Sequence, residues 1–80
     1  MPHIIIKLWP GRDEAQKQAL AERIAEDVTQ TLGATPQSIS VAIEEISQED
    51  WPHEVFLPDI MEKEETLYIR PGYNCDISET

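Results

Sequence analysis

A single cysteine, Cys75, stands among the 80 residues, so no disulfide can close within the chain and nothing covalent reinforces a small core. Two histidines beside it still fall short of the usual four-ligand structural zinc site. Basic residues are scarce as well. Six Lys and Arg against sixteen Asp and Glu leave a formal charge of -10, which excludes the basic footprint of a nucleic-acid binder and the polybasic patch that holds an anionic membrane. No apolar run approaches the roughly 18 residues that span a bilayer. The N-terminus lacks a basic stretch, an apolar stretch and a small-residue cleavage site in series, so no signal peptide is expected. Together with the unpaired thiol, this predicts a cytoplasmic protein. Phosphate-binding glycine loops, Ser/His/Asp signatures and internal repeats are also missing.

What is present suffices for one folded domain over residues 1–80. The hydrophobic share is 40%, too high for a disordered chain. A chain of this length buries only about 60–65% of the surface it exposes when unfolded, so its own core is thin and oligomerisation is the common remedy.

Pro2-His3-Ile4-Ile5-Ile6-Lys7-Leu8-Trp9 is rich in β-branched and large apolar residues and ends at Pro10-Gly11, the pattern of a strand. Its period of two puts Ile4, Ile6 and Leu8 on an apolar face toward the core, and His3, Ile5, Lys7 and Trp9 on a mixed face suited to a cleft or interface. Asp13 followed by Gln16 forms a capping-box pattern at the start of a helix. Leu20, Ile24, Val28 and Leu32 repeat every four residues as its apolar stripe, with Ala21 and Ala25 at the edge. Gly33 and Pro36 end it. Ile39 to Ile46 alternates again as a second strand. Strand, helix and strand make a βαβ unit with parallel strands.

Beyond it, Pro52 and Pro58 are expected to break residues 48–59 into turns. Asp59 to Arg70 fits a helix, and Thr66-Leu67-Tyr68-Ile69 fits a short strand equally well. Asn74 to Thr80 reads as a polar tail. From Glu44 to Glu65 nine acids accompany one Lys. Their spacing lacks the Asp-rich alternation and central glycine of a Ca²⁺ loop, so they are read as a solvated face. No metal or other cofactor is expected. The fold class is therefore α/β (α+β): one βαβ unit with a C-terminal helical extension. A two-stranded sheet under one helix does not persist alone in water, so a homodimer with a four-stranded sheet is the simplest closed form.

Pro2 carries the clearest chemical signal. Removal of Met1 would leave a secondary amine there. A primary α-amine titrates near 7.7–8.0, and burial or a nearby cation pushes such an amine lower. An N-terminal proline can then act as a neutral general base, which an internal proline cannot. Alone, Pro2 reads equally as a residue preceding a strand.

Pro2 before an Ile-rich strand, Gly11-Arg12-Asp13-Glu14 and Gln16-Lys17 leading a helix, the 39–46 strand and the Trp51 that follows it together resemble the 4-oxalocrotonate tautomerase family over residues 2–55. The extension through Arg70-Pro71-Gly72-Tyr73 is similar to a bacterial dimeric subgroup. The resemblance implies a tautomerase β-α-β fold and an isomerase acting on a small 2-keto acid or its enol. It gives Pro2 the role of catalytic base and Arg12 that of carboxylate ligand. It places Trp9 and Trp51 on the cavity wall. Ser40 stands where the family has a second arginine, which disfavours dicarboxylates and leaves an aromatic monocarboxylate such as phenylenolpyruvate as the expected substrate.

The residues support this in part. An arginine fork holds a carboxylate bidentately, and a cation beside a helix N-terminus is mildly unfavourable unless an anion joins it. Trp9 and Trp51 read equally as interface or core aromatics. His3, on the strand face of Trp9, is read chiefly as a packing residue with contact to the site as the alternative, His53 as a surface residue and Cys75 as incidental. A charge of -10 repels an anion at long range, screened beyond about 8 Å, so a positive cavity is required around Arg12, aided by Lys7 or Arg70. Two other functions fit the same residues: a hydratase or dehalogenase of an unsaturated acid, with the proline as a charged acid, and a dimer that binds a small ligand without turnover.

Overall fold

The computed structural model describes residues 1–77; the end of the expected tail, 78–80, lies outside the described residues. The chain divides into two compact units, residues 1–45 and 46–80.

The first unit is the expected βαβ. Strand β1 runs His3–Leu8, helix α1 Glu14–Leu32 and strand β2 Ser40–Glu45. The strands pair in parallel from His3↔Ser40 to Leu8↔Glu45. Ile4, Ile6 and Leu8 are half-buried, while His3, Ile5 and Trp9 are exposed, the alternation that a pleated strand with one covered face requires. Gly11, at φ 134, takes a backbone conformation that a side chain disfavours. It turns the chain from Pro10 toward α1. The capping box then closes: Gln16 N–H donates to Asp13 Oδ1 at 2.8 Å and Asp13 N–H to Gln16 Oε1 at 3.1 Å. At the other end Gly33, at φ 73, sends its N–H to the Thr29 carbonyl at 2.9 Å. Each end of the helix thereby gains a partner for part of its orphan main-chain groups.

The face that α1 buries differs from the expected stripe. Lys17, Ala21, Ile24, Ala25, Val28 and Thr29 are half-buried, whereas Leu20 and Leu32 stay 38% and 69% exposed. A repeat of four drifts against 3.6 residues per turn, so Leu20 and Leu32 lie roughly 120° apart around the axis. One flat sheet cannot cover both. Lys17 reaches across to the second strand, its Nζ 3.3 Å from Glu45 and 3.1 Å from Glu14. Hydrogen bonds to Glu14 and Glu45 hold its ammonium above the ordinary lysine value.

In the second unit, turns do not replace helix between Pro52 and Pro58. Ser47 Oγ accepts the Asp50 N–H at 3.1 Å, and Trp51 N–H bonds the Ser47 carbonyl at 3.0 Å. This winds the chain into a wide helical segment, Pro52–Met61, which closes with Glu62 N–H on the Leu57 carbonyl, five residues back. Pro52 needs no N–H in the first turn. Pro58 would clash with the carbonyl four residues back in an α-helix, and a wider turn eases that contact. Val55 and Phe56, 5% and 4% exposed, are the buried apolar residues of the described chain. Neither continuation expected for Asp59 to Arg70 forms. A single turn, Glu64–Thr66, follows, and Leu67–Arg70 is neither helix nor strand. Arg70 donates to Glu64 at 2.6 Å, which ties off this segment locally. The start of the expected tail is not wholly free, since Cys75 and Ile77 are half-buried.

Asp13→Ala should remove the α1 cap and cost about 0.5–2 kcal/mol, read as a lower urea midpoint at unchanged m-value. An unchanged midpoint would mean that the capping box contributes nothing.

Candidate active site

The parallel register decides what stands beside Pro2. Its carbonyl accepts the Ser40 N–H at 3.2 Å, so the Pro2 end of β1 and the start of β2 are joined by main chain. One step on, His3 and Ser40 are direct partners, and His3 Nδ1 lies 2.6 Å from Ser40 Oγ. Pro2 is half-buried, His3 and Ser40 are exposed, and Met1 stands fully in solvent at 102%. Nothing packs on Met1, so its removal would uncover no apolar surface. It would convert the Pro2 nitrogen from an amide into a basic amine.

Trp9 and Arg12 lie elsewhere. The six residues of β1, at about 3.3 Å each, put roughly 20 Å between the Pro2 end and the Trp9 end. Arg12 is exposed beyond Gly11 and makes no ion pair or hydrogen bond among the described residues. Lys17 and Arg70, by contrast, are taken up by carboxylates, so Arg12 is the better placed to take an external anion. The groove between α1 and β2, about 280 Å³ and lined by Glu14, Lys17, Gln18, Ala21, Val41 and Ile43, contains none of the expected site residues.

Trp51 belongs to the second unit and is held there by aromatic neighbours. Its Nε1–H donates to Tyr73 Oη at 3.0 Å, and the Tyr73 ring packs on Phe56 at a centroid distance of 5.5 Å and a tilt of 46°. Sequence reasoning singled out Trp51 without its partner. Pro71-Gly72 marked a turn there, and the aromatic residue directly after that turn was the available signal.

The family described as tautomerase enzyme matches residues 2–55. The chain belongs to the tautomerase family. A probable tautomerase from Xylella fastidiosa (strain 9a5c) is 44% identical over 73 residues, covering 91% of this chain and 89% of its own. Tautomerase PptA of Cronobacter sakazakii (strain ATCC BAA-894) is 40% identical over 75 residues, covering 91% and 97%. Among solved structures, YwhB, a homologue of 4-oxalocrotonate tautomerase, aligns with a TM-score of 0.58 at 38% identity, over 59% of this chain and 77% of its own. The tautomerase fold and the class of activity, keto–enol isomerisation, are thereby established. Among the described residues no group of three or more His, Cys, Asp or Glu is arranged to hold a metal ion, and no helix is long and apolar enough to cross a membrane.

Tyr73→Phe deletes the acceptor of the Trp51 N–H. Loss of such a bond costs about 0.5–1.5 kcal/mol. In a Trp9→Phe background, where Trp51 is the sole indole, the emission maximum should shift and the thermal midpoint fall. Unchanged emission would show that Tyr73 does not hold Trp51.

Proposed function

We propose that this tautomerase interconverts the enol and keto forms of a small aromatic 2-keto acid such as phenylenolpyruvate, with Pro2, freed of Met1, as the general base. The Pro2 amine takes the enol O–H proton. The O–H pair becomes the carbonyl π bond, and the C=C pair takes the proton back from the prolinium at C3. Proton and electrons balance with no cofactor. Arg12 holds the carboxylate, Trp9 and Trp51 line the cavity, and Ser40 borders it without a charge. The whole chain, residues 1–80, is read as a single tautomerase-like domain of a cytoplasmic homodimer.

The observation that carries this reading is the separation along β1. Pro2 and Ser40 sit at one end, and Trp9 and Arg12 lie past the other, roughly 20 Å away, a span that no small acid bridges. Two copies related by a twofold axis perpendicular to the sheet run like edge strands antiparallel, so that the Arg12 end of one meets the Pro2 end of the other. A four-stranded sheet made this way also covers one open strand edge of each copy. The exposure of Ile5, Trp9, Leu20 and Leu32 agrees with surface awaiting a partner.

Two experiments test this. Intact mass should show Met1 absent, and the processed protein should ketonise phenylenolpyruvate with a higher kcat/KM than 2-hydroxymuconate. Loss of a charged hydrogen bond at position 40 costs about ten- to a hundredfold on the second carboxylate, and Ser40→Arg should narrow the gap. Full turnover by a Met1-retaining form overturns the base, and a wild-type preference for the dicarboxylate overturns the substrate. The second experiment mixes inactive Pro2→Ala and Arg12→Ala chains through unfolding and refolding. The mixture should regain activity that neither parent has, because hybrid dimers contain one intact site. No recovery would place both residues in one chain's site.

A further inference from the structure

The pairing of His3 with Ser40 has no part in the function as stated above. It lies next to Pro2, and its geometry is specific. His3 Nδ1 and Ser40 Oγ are 2.6 Å apart, at the short end for such a bond. They are directly opposed in the parallel register, so the ladder fixes both backbones. Both residues are exposed on the strand face turned away from the half-buried Ile4, Ile6 and Leu8. His3 makes no second hydrogen bond among the described residues, which leaves Nε2 open to an external group.

We propose that His3 is the donor that stabilises the C2 oxygen of the reacting acid, with Ser40 as its positioning residue. The Ser40 hydroxyl donates to Nδ1, which leaves the ring proton on Nε2. The Nε2–H then points a fixed dipole at the oxygen where negative charge gathers once Pro2 has removed the enol proton. A preorganised donor at that atom lowers the barrier without reorganising during the reaction. Consecutive Cα atoms are about 3.8 Å apart, so the donor stands beside the base. The reacting atom of Pro2 is its chain nitrogen, at the terminus of the strand. The missing cation at position 40 is thereby offset by a neutral pair: Ser40 cannot itself balance a second carboxylate, but it can set the tautomer of its neighbour. This inference rests on the proposed reaction at Pro2.

Two substitutions separate a donor at Nε2 from a mere clip between strands. His3→Asn keeps a polar atom near the Nδ1 position for Ser40 and loses the Nε2 donor. His3→Gln places an N–H near Nε2. His3→Asn should lower kcat for phenylenolpyruvate by roughly 10- to 100-fold with little change in KM, and His3→Gln should recover most of the loss. Ser40→Ala should lower kcat less than His3→Asn does. All three should keep the wild-type circular dichroism and melting midpoint. Wild-type kcat in His3→Asn, or equal loss in both His3 variants, overturns the assignment.

A readout that does not depend on turnover uses ¹⁵N-histidine resonances in a His53→Asn background. Binding of 3-phenyllactate, which carries a C2 oxygen, should shift the His3 Nε2 signal, and 3-phenylpropionate, which lacks it, should not. A shift with both acids or with neither overturns the role of His3. Pro2→Ala that keeps full activity, by contrast, strikes the base itself. A phenyllactate-specific shift would leave His3 standing as a C2-oxygen ligand even then.

Discussion

The parallel ladder between β1 and β2 is the interaction on which the first unit depends, because its register sets every neighbour of Pro2. With His3 opposite Ser40, the Pro2 carbonyl receives the Ser40 N–H and the His3 ring meets a hydroxyl. A slip of one residue would turn every side chain of β2 to the other face. It would bring Ile39 or Val41 opposite His3 and bury polar groups beneath α1. The same register lets Lys17 of the helix reach Glu45 at the far end of the strand. Covering one face of the sheet and presenting the other are thus consequences of a single alignment.

That alignment leaves the chain short of buried surface. Within the first unit no described residue is fully buried, and the two that are elsewhere, Val55 and Phe56, contribute about 1.5–3 kcal/mol each. Against backbone ordering costs of about 1–2 kcal/mol per residue, such a core is marginal. In the proposed homodimer a second copy would add buried area and bring distant strand ends together. Stability and catalysis would then be coupled, because the contact completing the sheet would also complete the proposed cavity.

The charge balance shapes how an acid can be bound. Exposed carboxylates dominate, and some cations are neutralised at short range, Lys17 by Glu14 and Glu45, and Arg70 by Glu64. Arg12 stands apart from such pairs and next to a helix N-terminus, where the dipole already favours an anion. In the proposed reaction the substrate carboxylate would be received there.

Much of this was legible from residue order alone. The capping box at Asp13 and Gln16, the stop at Gly33, both strands and the parallel βαβ unit follow from local chemistry: hydrogen bonds three residues apart, a left-handed position that glycine tolerates, and a period of two. The family followed from Pro2, Arg12 and Trp51 in order. Tertiary structure decided which face of α1 is buried, because a four-residue repeat cannot stay on a flat sheet for three turns. It also decided that Pro52 and Pro58 sit within a wide helical segment, since the clash of a proline ring depends on how tightly the next turn winds. Contacts between residues far apart in sequence were beyond any local pattern. Trp51 with Tyr73 and His3 with Ser40, 37 positions away, are two of them. Both pairings depend on how the backbone brings distant segments together, which residue spacing does not encode.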